Sequence, residues 1–458
     1  YEISLGLVGS EMCIRDRCII ILTLILTTGC GSKSDSAKED AALESSSSIT
    51  TSNLESTTIT DDSENGTASD DSENMTTDES RNQINSEDDS NSLSGSTLGG
   101  TQSKSDSQNN DNATEFSLVM VGDVLLHTPV SDSGLMEDGS YNYSHLFRNV
   151  RNDIEEADIA LVNQEVILGG TELGLSGYPA FNGAYEVGDA LVEAGFDVVL
   201  HATNHALDKG RRGILNCINY WRTSHPDMGV IGINESQEEQ NNVYVREVNG
   251  IKVAILNYTY GTNGISLPSD MPYCVNLLDG GKIAKDMEIA KRISDFIIVC
   301  PHWGTEYTHN ETAEQEKWAE YFTKLGANLI IGTHPHVIEP VKWVEASNGN
   351  RALVYYSIGN FINATSDYGR GVADRMIGAM AKVIVAKNSD GSFYVKDYSA
   401  IPLVTQMISG RGQITTYKLS DYSEELAAQN EIISRDSVFS LQYCKELCDS
   451  VFGEVKHN

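Results

Sequence analysis

From residue 116 onward, short runs of apolar residues alternate with stretches in which apolar residues recur at helical spacing. Such short runs are typical of buried strands, and the helical spacing is typical of amphipathic helices. The predicted strands cover residues 117–121, 159–162, 198–201, 230–233, 243–248, 251–258, 296–300, 329–331, 342–344, 352–357, 379–386 and 393–400. The predicted helices cover residues 143–156, 186–194, 210–223, 281–293 and 312–325. This alternation predicts an α/β fold with a mainly parallel, covered sheet and a more antiparallel second half.

Five of the predicted strands end in polar residues that can bind a metal or carry a proton. Carboxylates follow the first two of them, an amide and an imidazole follow the third, and imidazoles follow the last two. These residues are Asp123, Asn163, Glu165, Asn204, His205, His302, His334 and His336. Because parallel sheets bind ligands beyond the carboxyl ends of their strands, we expect the five strand ends to form one site.

The side chains at these strand ends suit divalent metal ions. Asp and Glu supply anionic oxygens, His supplies nitrogen and Asn supplies a neutral oxygen. This mixture favours Mn, Fe or Zn over calcium, which prefers oxygen ligands alone. Two such ions can polarise a phosphoester or an amide carbonyl without a covalent nucleophile. The sequence therefore predicts a hydrolase-like site with two divalent metal ions.

The segment before residue 31 resembles an export signal. Residues 1–17 resemble foreign translated sequence, and the apolar run at 18–26 is too short to span a bilayer as a stable helix. Small residues then precede Cys30, as in a bacterial lipoprotein signal in which Cys30 carries the lipid, although Thr27 stands where Leu is usual. An uncleaved signal anchor is the alternative. Both interpretations predict an extracytoplasmic protein held at the cell membrane.

Residues 31–115 are strongly acidic and contain no aromatic side chain. Their 19 acidic and 4 basic residues carry nearly half of the chain's net charge of −34. A segment with so little to bury cannot offset the entropy of ordering, so a disordered linker is predicted. Residues 116–420 are long enough for one large domain, and 421–458 are predicted to form a C-terminal helical extension. The acidic charge of the globular part argues against nucleic acid as a partner.

Six short motifs follow one another in residues 116–365. They are Gly122-Asp123, Asn163-x-Glu165, Asn204-His205-x-x-Asp208-x-Gly210, His302-Trp303-Gly304-x-Glu306, Gly332-x-His334-Pro335-His336-Val337 and Ser357-x-Gly359-Asn360-Phe361. Their order resembles that in CapA-type poly-γ-glutamate (capsule) synthesis proteins, which are similar to calcineurin-like metallophosphoesterases. The resemblance implies a four-layer α/β/β/α metallophosphatase-like sandwich with a two-metal cleft.

The resemblance also implies a role for each motif residue. The first metal would be bound by Asp123 and His336, and the second by Asn204, His302 and His334, with Glu165 bridging the two. His205 would act on the substrate as a general acid or as a stabiliser of charge, with Asp208 orienting it. The residues expected to line the cleft or contact substrate are Asn163, Trp303, Glu306 and Asn360. Of these, Asn360 also suits a structural role in a tight turn.

The first motif departs from that of the parent phosphoesterases. Their motif is Asp-x-His, whereas Leu125 stands two residues after Asp123. His127 is a candidate for the missing ligand, although the ends of strands rarely reach so far. Glu165 stands where the parent enzymes have Asp. We therefore expect one metal to be held more weakly than the other.

Three functions fit the residues and the resemblance. The first is an envelope-anchored lipoprotein that works in poly-γ-glutamate synthesis or export through a metal-dependent hydrolase-like site, with membrane synthase or export subunits as partners. The second is a component that binds the capsular polymer without turnover, and the third is a generic extracytoplasmic phosphoesterase. Because an acidic domain repels polyanions, attraction would have to come locally from the metals.

Overall fold

A computed structural model describes residues 115–457 of the chain. The predicted foreign segment, the signal at residues 1–30 with its lipidation site Cys30, and nearly all of the predicted linker lie outside the described residues. Among the described helices, none is long and apolar enough to cross a membrane.

The described strands run in chain order from β1 to β14. They are β1 (Glu115–Val124), β2 (Ile159–Asn163), β3 (Val198–Leu200), β4 (Gly229–Ile231), β5 (Tyr244–Val248), β6 (Ile251–Thr259), β7 (Phe296–His302), β8 (Leu329–Ile331), β9 (Val341–Glu345), β10 (Arg351–Tyr355), β11 (Asn360–Ile362), β12 (Ile377–Lys387), β13 (Phe393–Gln406) and β14 (Thr415–Lys418). The described α-helices are α1 (Thr128–Ser133), α2 (Arg151–Glu155), α3 (Tyr185–Glu193), α4 (Gly210–Ser224), α5 (Gln237–Asn241), α6 (Gly280–Ile293), α7 (Ala313–Leu325), α8 (Glu424–Gln429) and α9 (Leu441–Phe452).

The strands form two sheets, each with a parallel centre. The first sheet has the order β14-β13-β12-β1-β2-β3-β4, and β11 also pairs with β1. In it β1 to β4 are parallel, whereas β12 to β14 run antiparallel to their neighbours. The second sheet has the order β5-β6-β7-β8-β10-β9, with β6, β7, β8 and β10 parallel and antiparallel strands at both edges.

The sheets and helices form four layers that pack around two apolar cores. Successive residues of β6 alternate between the cores, with Val253 in the first and Ala254 in the second, as strand geometry requires. The first core joins the two sheets, and Phe116 of β1 meets Phe296 of β7 edge to face at 6.0 Å between ring centroids. It also includes residues of α3 and α4, while the second core packs α6 and α7 on the other sheet. The four-layer α/β/β/α class is therefore confirmed.

The predicted elements differ from the observed ones mainly where an element is short or broken. The stretch 143–156 was predicted as one helix but is a 3-10 turn at Ser144–Leu146 followed by α2. Its apolar side chains still face the core, and Phe147 stacks on Phe361 at 5.5 Å between centroids, because burial of that face does not require a continuous helix. The short elements α1, α5, β11 and β14 had no periodic pattern to reveal them.

Candidate metal centre

The carboxyl ends of strands from both sheets meet at one place. Two overlapping groups of side chains there bring ligand atoms within 4.8 Å of one another, an arrangement that could hold a metal ion. One group is Asp123, Glu165 and His336, and the other is Glu165, His302 and His334. Glu165 belongs to both groups, and it is the residue for which the resemblance implies a bridging role.

The carboxylate of Glu165 is fully buried, yet neither of its oxygens accepts a hydrogen bond from the described part of the chain. Its Oε1 lies 3.9 Å from His302 Nε2 and 3.9 Å from His205 Nε2, and its Oε2 lies 3.7 Å from His336 Nδ1. Burial raises the pKa of Glu165 well above its ordinary value, and nearby carboxylates, Asp123 first among them, add to this. Such a group needs a positive charge close by.

Asp123 lies at the end of β1 and is held by two donors. Asn163 Nδ2 donates to its Oδ1 at 2.7 Å, and the backbone N–H of His334 donates to its Oδ2 at 3.2 Å. His336 Nδ1 lies 3.4 Å from the same Oδ2. Asp123 therefore joins the first sheet to the turn that follows β8 in the second.

The second ligand group is oriented by neutral hydrogen bonds. His302 Nε2 lies 2.9 Å from Asn204 Oδ1, and the hydroxyl of Thr333 lies 2.9 Å from the other ring nitrogen, Nδ1. His334 Nδ1 is buried without a hydrogen-bond partner among the described residues. Burial, and then the neighbouring imidazoles, lower the pKa of both His302 and His334 well below the ordinary value. Both rings are therefore neutral, as metal ligands must be.

His336 has the opposite electrostatic environment. Burial alone would lower its pKa, but the facing carboxylates of Glu165 and Asp123 outweigh this and raise it to about 10. Its Nδ1 also donates to Asn360 Oδ1 at 3.0 Å. His334 and His336 have φ of 102° and 60°, a left-handed conformation that costs a non-glycine residue on the order of 1–3 kcal/mol and is typical of functional sites.

These observations fit divalent cations. Buried carboxylate oxygens without donors and a buried imidazole nitrogen without a partner are polar groups that a metal ion satisfies. The raised pKa of His336 shows that the carboxylates favour a positive charge at this place. Carboxylates, imidazoles and the Asn204 oxygen form the mixed ligand set that suits Mn, Fe or Zn.

A cavity of about 540 Å³ opens next to the ligand groups. His205 lies in its wall, and Asp208 Oδ2 lies 2.7 Å from His205 Nδ1, so Asp208 orients the ring as predicted from the resemblance. The same Asp208 oxygen accepts the backbone N–H of Phe181 at 2.7 Å, and the Phe181 ring meets His205 edge to face at 4.7 Å between centroids. The Nε2 of His205 is therefore left facing Glu165.

Some residues predicted to line the cleft lie elsewhere. Trp303 is buried in the second core, where its Nε1 donates to the carbonyl of Tyr356 at 2.9 Å, so its predicted cleft position is wrong. Asn163 is buried and holds Asp123 rather than facing the cavity. Asn360 is also buried, and its Nδ2 donates to the carbonyl of His336 at 3.1 Å, which matches the structural role considered for it.

Glu306 and His127 do line the cavity. The exposed carboxylate of Glu306 forms a third candidate ligand group with His334 and His336. His127 packs edge-on against Phe181 at 5.3 Å between centroids and belongs to none of the candidate groups among the described residues. Burial, with the charge of His336 adding to it, lowers the pKa of His127 to about 4.

Sequence reasoning missed several residues around the site. They are Tyr260, Asn263, Tyr307, Thr333 and Arg375. The ring of Tyr260 lies 4.6 Å from that of His334 and follows β6, which is parallel to β7 and ends at the same edge of the sheet. Tyr260 therefore satisfies the same strand-end pattern as the predicted ligands. No pattern in the sequence points to Arg375.

The family model described as "Bacterial capsule synthesis protein PGA_cap" matches residues 117–365. Capsule biosynthesis protein CapA of Bacillus anthracis is 26% identical to the chain over 262 residues, which cover 54% of the chain and 60% of that protein. PGA biosynthesis protein CapA of Bacillus subtilis (strain 168) is 29% identical over 213 residues, which cover 45% of the chain and 51% of that protein. The chain thus spans between half and two thirds of the length of these relatives.

Among solved structures, the NAD nucleotidase (NadN) of Haemophilus influenzae is similar to the chain with a TM-score of 0.42 and 12% sequence identity. The likeness covers 75% of this chain and 64% of that one. A 5'-nucleotidase precursor from Thermus thermophilus has a TM-score of 0.39 at 17% identity, over 63% of this chain and 54% of that one.

Proposed function

The chain belongs to the bacterial capsule synthesis protein PGA_cap family, and on this premise we propose that it acts in poly-γ-glutamate capsule synthesis or export as a metal-dependent hydrolase. The printed names of the two CapA relatives refer to capsule and PGA biosynthesis. In this proposal the substrate is the capsular polymer or a phosphoester on its route. Membrane synthase or export subunits are the proposed partners.

The observation that carries the hydrolase proposal is the state of Glu165. Its carboxylate is shared by two candidate ligand groups, is buried, and accepts no hydrogen bond from the described residues. A buried carboxylate that accepts no hydrogen bond costs several kcal/mol unless positive charge compensates it, and the ring nitrogens that face Glu165, from His336, His302 and His205, lie no closer than 3.7 to 3.9 Å. The cavity beside it gives a substrate access to the same place.

The chain's own residues would share the work around the cations. When bound, divalent cations would supply Lewis-acid polarisation of the scissile group. Asp123 and His336 would hold one ion, Asn204, His302 and His334 the other, and Glu165 both. His205 would deliver a proton to the leaving group from Nε2, with the ring fixed through Nδ1 by Asp208.

The non-catalytic polymer-binding function is the second candidate, and one observation favours it. Leu125 stands where the phosphoesterase motif has a histidine ligand, and it is buried in the first core. An ion bound by Asp123, Glu165 and His336 would therefore have fewer protein ligands than in the parent motif. Such a centre could hold a polymer's carboxylates without turning it over.

Turnover separates the two candidates. We expect the purified protein, loaded with Mn or Zn, to hydrolyse p-nitrophenyl phosphate or a γ-linked glutamate oligomer, and His336→Ala to lose this activity. His225→Ala is the matched control, because His225 pairs with Asp189, belongs to none of the candidate ligand groups among the described residues and does not line the cavity. Binding of the oligomer without turnover would favour the second candidate, and failure to bind any metal would contradict both.

Anchoring in the envelope is a further part of the proposal. It rests on the signal-like segment that ends at Cys30. We expect Cys30→Ser to move the protein from the membrane fraction to the soluble fraction of the expressing cells, with Ser32→Ala as the control. Unchanged membrane association of the Cys30→Ser protein would show that no lipid at this residue holds it there.

A further inference from the structure

The cavity beside the candidate metal centre is lined mostly by acidic and neutral side chains. Asp208, Glu306 and Asp367 all lie in its wall. Among the described residues that line it, Arg375 is the only arginine or lysine. An anionic substrate that reaches the metal centre through this cavity therefore meets a single fixed positive charge on the protein.

The guanidinium of Arg375 is held in place from two sides. Its Cζ lies 3.7 Å from the centroid of the Tyr307 ring, and its Nη1 donates to Asp367 Oδ2 at 2.6 Å. The side chain is only 15% exposed, and its Nε is buried with no hydrogen-bond partner among the described residues. A planar guanidinium can stack on a ring and still offer an edge to a carboxylate or phosphate, which a lysine cannot do.

Arg375 and Tyr307 are both attached to the turn that carries the candidate metal ligands. The backbone N–H of Tyr307 donates to the carbonyl of Pro335 at 2.8 Å, and the rings of Tyr307 and His336 lie 5.9 Å apart. The carbonyl of Arg375 accepts from Asn360 Nδ2 at 2.9 Å, and the same Asn360 side chain contacts His336. The ring of Tyr307 thus lies between the guanidinium and the candidate ligand His336. Contacts with the turn that carries His334 and His336 fix the position of Arg375.

Pairing with Asp367 does not by itself account for this arrangement. The Asp367 side chain is 61% exposed, and an ion pair with so exposed a partner contributes little to stability. Tyr307 itself is held at a φ of 64° and leaves 45% of its surface exposed at the cavity. A strained aromatic residue that presents its ring to an arginine beside a cavity is typical of a binding site rather than of a core.

We propose that Arg375 binds a second anionic group of the substrate while the first lies at the candidate metal centre. The substrate class is therefore an oligoanion with repeating carboxylates or phosphates, and not a molecule with a single anionic group. This inference rests on the proposed function for the place of the first group, although binding at Arg375 does not require turnover. Arg375 lies beyond residues 117–365, which the family model matches.

Equilibrium binding of defined oligomers tests the inference. The full chain, loaded with Mn, is titrated by calorimetry with a γ-linked glutamate pentamer, with the same pentamer amidated at its α-carboxylates, and with a glycerol phosphate trimer. Arg375→Gln and Arg375→Lys are compared with Arg435→Gln. Arg435 is a matched control because it also lies over a tyrosine ring and has a buried, unpartnered Nε among the described residues, but it does not line the cavity.

We expect Arg375→Gln to weaken binding of the pentamer or the phosphate trimer by about tenfold to a hundredfold, the usual effect of losing a charge-assisted hydrogen bond. Arg375→Lys should restore part of the loss, and the amidated pentamer should bind wild type and Arg375→Gln equally. Loss with the pentamer identifies carboxylates as the second group, and loss with the trimer alone identifies phosphates. Arg435→Gln should bind as wild type does.

Two outcomes would overturn the inference. One is equal binding of both oligoanions by wild type and Arg375→Gln, which includes the case in which neither protein binds them. The other is an equal loss in Arg435→Gln, which would mean that only overall charge matters. Binding that depends on Arg375 without any turnover would instead contradict the hydrolase proposal and leave the oligoanion site standing.

Discussion

At the candidate centre, Asp123 is positioned by a close backbone contact that leaves no room for a side chain at the preceding residue. Gly122 precedes Asp123, and a Cβ built on it would lie 1.8 Å from the carbonyl oxygen of Gly359. That carbonyl also accepts the backbone N–H of Asp123 at 3.1 Å. The first and last of the six motifs therefore touch, and glycine at position 122 is what allows Asp123 to lie beside the turn that carries Asn360.

Gly122→Ala tests this close approach. The added methyl group must push β1 away from the turn at Gly359. We therefore expect the free energy of unfolding of the variant to be lower than that of wild type by about 3 kcal/mol or more. Urea denaturation measures it. Gly261→Ala is the matched control, because nothing lies within 4 Å of the place that its Cβ would take and a change within about 1 kcal/mol is expected. Equal stability of the two variants would contradict the close approach.

A buried carboxylate outside the centre gives a pH-dependent prediction. Burial raises the pKa of Glu339 to about 8, although Gln315 Nε2 donates to its Oε2 at 2.7 Å and opposes this rise. The folded state therefore holds the proton more tightly than the unfolded state. Stability contributed by the protonated form is present in full below the ordinary glutamate pKa, and it is lost as pH rises towards 8.

Glu339→Gln removes that titration. As the pH rises from 5 to 9, we expect the free energy of unfolding of the variant to increase relative to that of wild type by roughly 2 to 4 kcal/mol, because only wild type must ionise a buried group. Denaturation at a series of pH values measures the difference. Glu320→Gln, on the exposed face of α7, controls for the loss of one negative charge. A difference that stays constant over this pH range would show that Glu339 is not protonated in the folded state near neutrality.

The sequence located the centre but not the whole cavity. Asp123, Glu165, His302 and His334 each lie within three residues of the end of an apolar run, so the rule that ligands gather beyond strand ends was enough to group them. Trp303 was misplaced because the residue after His302 points to the opposite face, into the second core. Arg375 could not be predicted, since it lies in a short 3-10 turn whose position depends on contacts with Asn360 and Tyr307.

At the scale of elements, α7 shows how local sequence sets a helix that covers the second sheet. Thr312 and Gln315 form a capping box, in which each side chain bonds the other's backbone N–H. Gly326 ends the helix with a φ of 102°. Gln315 also donates to Glu339, so a residue of the capping box also holds the helix against the segment that follows His336.

Thr312→Ala tests the cap. We expect unfolding free energy to fall by about 1 kcal/mol, because the backbone N–H of Gln315 loses its acceptor. Thr223→Ala is the control, since the hydroxyl of Thr223 bonds back to the carbonyls of Asn219 and Tyr220 within α4 and caps no helix. A smaller loss for Thr312→Ala than for the control would mean that the packing of α7, and not its cap, sets where the helix begins.

The main elements followed from periodicity, whereas the pairing of strands into two sheets did not. The hairpin of β5 and β6 was predicted from Asn249-Gly250, and both residues have the positive φ that the turn requires. Nothing local shows that β1, β2 and β3 belong to one sheet and β7 and β8 to another, because each strand is an equally apolar run. The four-layer arrangement came from the family resemblance.

At the scale of the whole molecule, the candidate centre joins the two sheets. Asp123, Glu165 and Asn204 come from the first sheet and its loops, and His302, His334 and His336 from the second. Cations bound between them would tie the halves of the domain together and stabilise the folded state, because the unfolded chain has no such site. The chain is strongly acidic and therefore repels anionic polymers. The positive charge of the bound cations would be what attracts such a polymer to the centre.

The number of metal ions bound per chain tests the central claim, that two sites share Glu165. Elemental analysis of the purified, metal-saturated protein gives this number directly. We expect two ions for wild type, one for His336→Ala, one for His302→Ala and none for Glu165→Gln, because only Glu165 belongs to both of these ligand groups. Glu165→Gln protein that binds as many ions as wild type, or wild type that binds none, would contradict the claim.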